Sequence, residues 1–241
     1  AIAIAAVTLD AALLGLIAPL LPEIEARTGA SESALGLALA AYAVPVLLVS
    51  LPLGRLTDLW GRRSILLSGV LLTAVGSLTI AHAHDLGMLL LGRGTQGLGA
   101  AASWIAGLAL VSDLAPRGRT GESLGYVLAA TAIGAIGGPA ISGITAEAIG
   151  FTFPFMLVAA LAMALFLLGI RGLPVGLART GGPRRPAGLL LATAVSPATR
   201  PATLAVIVTA SLIGAVQVVV PLDADARLGL SAASIGSIFA I

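Results

Sequence analysis

Two ionisable side chains, Asp10 and Arg93, lie well inside long apolar runs of this 241-residue sequence. A charge at the centre of a membrane-spanning helix costs at least about 2.5–3.5 kcal/mol, so it is expected to face a polar cavity or a partner. A carboxylate in such a cavity binds either a proton or a cation, and that competition is the chemistry of antiport. We therefore predict that Asp10 and Arg93 face a shared polar cavity. The alternative is a structural ion pair that holds helices together.

Two amide side chains are further candidates for the proton- or substrate-binding site. Gln96 follows Arg93 by about one helical turn and so lies on nearly the same helix face. Gln217 lies in a later apolar run, where an amide also serves as a hydrogen-bonding contact between helices. Arg93 itself can act as a buried clamp of this kind or as part of a proton relay, and the sequence leaves both open.

The segment around Arg93 imitates a nucleotide-binding motif. Residues 92–97 read G-x-G-x-x-G, and Asp113 follows about twenty residues later, as a dinucleotide site requires. That fingerprint needs a strand before the glycines and a turn into a helix. Here the glycines lie in the middle of one apolar run, so we expect them to serve close helix packing and predict no cofactor.

Other chemistries are not indicated by the sequence. His82, His84 and Asp85 lie together, but two histidines without a third clear ligand are more typical of a turn than of a metal site. No nucleophile lies beside a general base, so an enzyme and a catalytic residue are not expected. No basic face suited to nucleic acid is present.

The composition predicts an all-α membrane protein. Hydrophobic residues make up 58% of the chain and charged residues 10%, whereas soluble domains carry about 25% charged residues. A helix needs about 20 apolar residues to cross a bilayer. Runs of this length do not alternate as barrel strands do, so helices are expected. Seven such runs fall at 2–21, 34–53, 64–82, 86–112, 122–148, 151–170 and 202–221, and an eighth begins near 231.

The long break at 171–200 is rich in Pro, Gly and Arg and divides the chain. We expect a six-helix bundle over 1–170, a cytoplasmic linker over 171–200 and an incomplete second bundle over 201–241. The arginines concentrate in alternate breaks, and basic residues near helix ends stay on the cytoplasmic side. The lipid bilayer is therefore an expected partner, and the N-terminus is predicted to be cytoplasmic in the inner membrane.

The break between the second and third predicted spans, residues 54–63, reads GRLTDLWGRR. It resembles the loop 2–3 signature of the major facilitator superfamily, which implies that it latches the two halves of a transporter. The residues that carry the resemblance are Gly54, Asp58, Gly61, Arg62 and Arg63.

Three contacts are expected in this segment. The four-residue spacing predicts an Asp58–Arg62 ion pair if the turn is helical. Asp113 is a further candidate partner for Arg62. Gly54 is expected to end the second helix without a side chain, so that another helix can press close.

Two other segments extend the resemblance. The run from Leu89 to Ala101 resembles the family's helix 4 motif, whose arginine is linked to proton coupling, and Arg93 occupies that place. The fifth span matches the antiporter motif, although Ser142 stands where the family usually has Gly, and the match implies export. The matching residues are Gly125, Gly134, Gly138, Pro139 and Gly143.

The first span, with Asp10, Pro19 and Pro22, resembles the twelve-helix drug:proton antiporter branch. The resemblance implies proton-coupled efflux of lipophilic, cationic drugs, with protons and a small-molecule substrate as partners. The superfamily is built from two six-helix halves of inverted three-helix repeats. A C-terminal half is thus expected to be missing, and this piece alone is not expected to transport. The alternatives are a sugar or metabolite transporter of the same fold and a non-transporting truncated protein or scaffold.

Overall fold

The computed structural model describes residues 1–174 and 196–239. Most of the predicted linker, with Arg179, Arg184 and Arg185, lies outside the described residues. Within the described part, every regular element is helical. The seven spans are α1 Ile2–Thr28, α2 Glu32–Trp60, α3 Arg62–Ala81, α4 Leu86–Leu114, α5 Thr120–Ile149, α6 Thr152–Gly172 and α7 Arg200–Leu228. A short helix, α8, covers Ala232–Ile238. All seven predicted spans are therefore present, and the fold is that of a multi-pass membrane protein.

The first span is longer than predicted because Pro22 does not end it. An α-helix over Ile2–Leu16 continues through a 3-10 turn at Ala18–Leu20 into a second helical segment, Leu21–Thr28. Proline lacks only its N–H, and the N–H groups of a first helical turn have no helical partner in any case. Pro22 therefore begins the second segment. The span ends where Gly29 adopts φ +63°.

The structure corrects the expectation for Gly54. The second span does not end there but continues as a helix to Trp60, and Gly61 then separates α2 from α3. Apart from the backbone of its own helix, no described residue has an atom within 4 Å of the position that a Cβ at Gly54 would occupy. Residues 54–63 are thus the last turns of α2 and a sharp corner. The corner requires glycine, because Gly61 has φ +86°.

Helix contacts centre on α1, α3 and α4. The α3 and α4 backbones touch through glycines, since a Cβ at Gly76 would lie 2.8 Å from the backbone nitrogen of Gln96. Small residues permit such close approach between membrane helices. The α1 helix packs against α5, and α8 packs against the same helix further along. Large apolar side chains on the outer faces, among them Leu47, Ile133 and Val219, are more than half exposed, as expected for a surface that lipid covers.

Candidate functional site

One end of the helix bundle carries an ion-pair cluster formed by Asp58, Arg62 and Asp113, which we call the Arg62 cluster. The Arg62 side chain is only 4% exposed. Its Nη1 lies 3.2 Å from Asp58 Oδ1 across the Gly61 corner, and its Nε lies 2.5 Å from Asp113 Oδ2 at the end of α4. The neighbouring Arg63 donates to the carbonyl of Ile170 on α6. The expected partners of Arg62 are thus brought together, and the two arginines connect α2, α3, α4 and α6.

The acid on the first span is buried among hydroxyl groups. Asp10 is 2% exposed, and its Oδ1 accepts a hydrogen bond of 3.0 Å from Thr73 Oγ1 on α3. Ser103 on α4 interacts electrostatically with the same carboxyl group. Asp10 Oδ2 and Ser103 Oγ are both buried, and neither has a hydrogen-bond partner in the described part of the chain. We call Asp10, Thr73 and Ser103 the Asp10 cluster.

Two glycines leave room for these hydroxyl groups. A Cβ at Gly69 would lie 2.7 Å from Ser103 Oγ, and a Cβ at Gly99 would lie 2.7 Å from Thr73 Oγ1. Each distance is too short for a real contact, so the hydroxyls occupy space that any other residue would fill. The backbone contact between α3 and α4 therefore determines where the hydroxyl groups sit.

The guanidinium of Arg93 is held by a second polar cluster. Its Nη1 donates to Gln96 Oε1 at 3.0 Å, and Gln96 Nε2 donates to Ser77 Oγ at 3.0 Å. The guanidinium carbon lies 4.6 Å from the centre of the Tyr42 ring on α2, a cation–π contact. The Nε and Nη2 atoms are buried and have no partner within residues 1–174 and 196–239. We call Tyr42, Ser77, Arg93 and Gln96 the Arg93 cluster.

The two clusters are neighbours, but the described residues contain no Asp10–Arg93 ion pair. Tyr42 interacts electrostatically with both side chains, and Arg93 is 1% exposed. One cavity lies at the end of the bundle near Ala1 and another lies near Glu23, and neither is lined by Asp10 or Arg93. Both charges are buried in the interior of the described helices, and the shared cavity stays a prediction.

The residues of the predicted antiporter motif face different partners. Gly134 and Gly138 lie against the α1 backbone at the Thr8 and Ala12 carbonyls. Gly143 instead lies against the backbone of α8, and a Cβ at Gly125 would have no atom of another described helix within 4 Å. Pro139 also faces α1, because a Cβ at Gly15 would lie 2.8 Å from Pro139 Cγ.

The end of α5 contacts α8 through a side chain that the sequence analysis did not select. Oε2 of Glu147 accepts a hydrogen bond of 3.1 Å from the backbone N–H of Ala233. Gly143 and Gly236 allow the two helices to touch beside this contact. Glu147 therefore satisfies one of the N–H groups that the first turn of α8 leaves without a helical partner.

The remaining candidates lie apart from both clusters. Gln217 is half-buried on α7 and makes no hydrogen bond in the described part of the chain. Asp85 caps α4 by accepting from the Met88 N–H at 2.8 Å, and the His82 ring bonds the Leu78 carbonyl. Among the described residues there is no group of three side chains suited to a metal. The G-x-G-x-x-G segment lies in the middle of helix α4.

Sequence reasoning missed the other members of the Asp10 cluster and the Arg93 cluster, namely Tyr42, Thr73, Ser77 and Ser103. A signal exists for two of them, because Thr73 and Ser77 are four residues apart in an apolar run and so share one helix face. Ser103 follows Gly99 by the same interval. Hydroxyls are common in membrane helices, and the spacing does not indicate which helix they contact.

Comparison with known proteins relates the whole chain to one family. The sequence profile of the Major Facilitator Superfamily matches residues 2–241. The chain is similar to the quinolone resistance protein NorA of Staphylococcus aureus, with 31% identity over 157 residues, which are 65% of this chain and 40% of NorA. It is also similar to the uncharacterized MFS-type transporter C18.02 of Schizosaccharomyces pombe, with 33% identity over 160 residues, 64% of this chain and 36% of that protein. The matched region thus spans less than half the length of either relative.

Proposed function

Because this chain belongs to the Major Facilitator Superfamily, we propose that it acts in proton-coupled export of lipophilic, cationic compounds across the cytoplasmic membrane. Membership of the family indicates transport rather than enzymatic catalysis. In this superfamily, substrate binds near the bilayer midplane between two six-helix halves, and the halves rock to expose the site to each side in turn.

The observation that carries the proposal is the buried carboxyl group of Asp10. It lies inside the bundle, and within the described residues no arginine or histidine forms an ion pair with it. An unpaired carboxylate inside a membrane protein carries a large free-energy cost, so such residues usually mark a site that binds an ion or a proton. Asp10 would bind the proton, while Arg93 and Gln96 would set the polarity of the neighbouring interior.

Two further features support export in particular. The glycines and Pro139 of α5 form the pattern that the family associates with antiporters, and three of these residues, Gly134, Gly138 and Pro139, lie against α1, the helix that carries Asp10. NorA is named for quinolone resistance, which favours drugs over sugars or metabolites. The Arg62 cluster would act as the latch between the two halves of the transporter.

Proton release measured with everted membrane vesicles tests this function. The complete open reading frame containing this sequence is expressed, and a fluorescent lipophilic cation is added to energised vesicles. We expect accumulation of the dye inside the everted vesicles, which is the direction of export, accompanied by proton movement, and we expect both to be lost in Asp10→Asn. Asp225→Asn is the matched control, because Asp225 is exposed near the end of α7. Coupled efflux that is unchanged in Asp10→Asn would remove Asp10 from the mechanism, and sugar uptake without dye efflux would refute drug export.

A further inference from the structure

We propose that one edge of the Arg93 guanidinium, formed by Nε and Nη2, binds a carboxylate group of the exported compound. The inference rests on the proposed function and deepens it by naming a second chemical group that the site recognises. The cargo is then a lipophilic cation that also bears a carboxylate, and Arg93 contacts that carboxylate directly.

One end and one face of the Arg93 guanidinium are already occupied. Its Nη1 donates to Gln96 Oε1 at 3.0 Å, and the centre of the Tyr42 ring lies 4.6 Å from the guanidinium carbon. The Nε and Nη2 atoms are buried and have no hydrogen-bond partner among the residues that the structure describes. In a planar guanidinium these two atoms direct their N–H groups from one edge as a rigid fork. The unused donors of Arg93 therefore form one continuous edge.

The same edge of other arginines binds carboxylates elsewhere in this chain. Arg119 uses Nε and Nη2 to hold the two carboxylate oxygens of Glu122, each at 2.6 Å. Arg27 uses the same two atoms to bind Glu23 Oε1, at 3.1 and 3.0 Å. A carboxylate fits this fork because its two coplanar oxygens match the spacing of the two N–H groups. The unpartnered edge of Arg93 thus has the geometry of a carboxylate-binding group.

No acid in the described part of the chain binds this edge. The ion pairs within residues 1–174 and 196–239 do not include Arg93, and Asp10 accepts from Thr73 on α3 instead. A buried guanidinium with unsatisfied donors carries a desolvation cost, which a carboxylate ligand would offset. The cargo is the source of that carboxylate, because transporters of this fold bind substrate inside the membrane between their helices.

The neighbours of Arg93 hold the edge in a fixed position. Gln96 is bound at its other end, since its Nε2 donates to Ser77 Oγ at 3.0 Å. A Cβ at Gly76 would lie 2.7 Å from Gln96 Cγ, so the α3 backbone leaves the Gln96 side chain little room to turn. Such preorganisation increases affinity, because the ligand need not order the side chain that binds it. Arg93 is 1% exposed, so the edge becomes accessible to cargo when the halves rock.

A matched pair of dyes tests the inference by binding alone. Rhodamine B carries a xanthylium cation and a free carboxylate, and its ethyl ester carries the same cation without the carboxylate. Each dye is titrated, with fluorescence anisotropy as the readout, into the detergent-purified protein encoded by the complete open reading frame. We expect rhodamine B to bind at least about tenfold more tightly than the ester, because only rhodamine B makes charge-assisted hydrogen bonds to the guanidinium.

Two variants locate the carboxylate. Arg93→Lys keeps the positive charge but has no fork, so the preference for rhodamine B over the ester should largely disappear. Gln96→Glu places a carboxylate beside Nη1 and should weaken the binding of rhodamine B relative to the ester, because like charges repel. The ester is the matched control in each variant, since its binding verifies that the protein is folded. The comparison of the two dyes in the native protein needs no variant, so the test does not depend on how well the variants fold.

Two results would overturn the inference. Equal affinity of the native protein for rhodamine B and its ester would indicate that an acid of the protein itself pairs with Arg93. A preference for rhodamine B that persists in Arg93→Lys would show that the carboxylate binds elsewhere. Binding needs no proton gradient, so a clear preference without coupled efflux would refute the proposed function alone. Coupled efflux together with equal binding of the two dyes would refute this inference alone.

Discussion

Thr73 and Ser77 lie one turn apart on α3 and bind the side chains of two different helices. Thr73 donates to Asp10 on α1, and Ser77 accepts from Gln96 on α4. The acid and the guanidinium therefore make no ion pair in the described structure, yet both are positioned from one face of one helix. A shift of α3 along its axis would change the surroundings of both charges together.

Replacing Ser77 by Ala should release Gln96 and, through it, Arg93. Hydrogen bonds between membrane helices contribute about 0.6 kcal/mol on average and at most about 1.7 kcal/mol, so we expect a loss of stability in this range. Unfolding in a mixed detergent series measures it. Ser68→Ala is the matched control, because Ser68 bonds the backbone of its own helix. Equal stability of the two variants would contradict the role given to Ser77.

The two acids of the Arg62 cluster should differ in importance. The Asp58 side chain is 62% exposed and that of Asp113 is 31% exposed, while Arg62 is nearly buried. Asp58→Asn should cost about 0.2–1 kcal/mol, as exposed pairs do. Asp113→Asn should cost about 1–3 kcal/mol, because it leaves a buried charge poorly compensated. The same unfolding experiment ranks them, and a larger effect at Asp58 would show that the observed geometry does not govern stability.

Two glycines of the G-x-G-x-x-G segment should respond differently to the same substitution. A Cβ at Gly97 would collide with the Tyr42 carbonyl, whereas a Cβ at Gly94 would lie 3.7 Å from its nearest neighbour, the Ala41 carbonyl oxygen. Gly97→Ala should therefore push α2 away from α4 at a cost of about 1–3 kcal/mol. Gly94→Ala should be tolerated. Similar expression and melting temperature for both variants would argue against the close α2–α4 contact.

Removal of the Glu147 carboxylate should loosen α8 from α5. Glu147→Ala removes the acceptor of the Ala233 N–H, while Glu147→Gln retains an oxygen in its place. Spin labels on α5 and α8 should show a broader distance distribution in the Ala variant and a nearly native one in the Gln variant. Glu122→Ala is the control, since Glu122 pairs with Arg119 on the same helix. Identical distributions in all three variants would exclude a tethering role.

The predicted orientation can be tested cleanly, because the sequence has no cysteine. Arg119→Cys and His84→Cys place single thiols at exposed positions on opposite ends of the bundle. A membrane-impermeant maleimide should label His84→Cys in intact cells and Arg119→Cys only after permeabilisation. The reverse pattern would show that the N-terminus is outside.

Several features of the fold could be derived from sequence because they depend on local composition. Each span is a run of apolar residues long enough to cross the bilayer, and its backbone must bond internally wherever it lies. The two buried charges also stood out locally, as rare polar residues within such runs. The predicted helix boundaries at Pro22 and Gly54 were wrong, because a proline or a glycine near a helix end can either end the helix or lie within it.

The sequence by itself thus determined the class of protein, its spans and the two charges that any mechanism must use. Only the tertiary structure decided what those charges contact. Thr73 lies 63 residues from Asp10, and Ser77 lies 19 residues from Gln96. Such pairs depend on which helix faces meet, and in a membrane no polar and apolar stripe marks the buried face as it does in water. That choice is made by backbone contacts at glycines such as Gly69, Gly97 and Gly99. Their pattern in the sequence predicts close helix packing but does not indicate the partner helix.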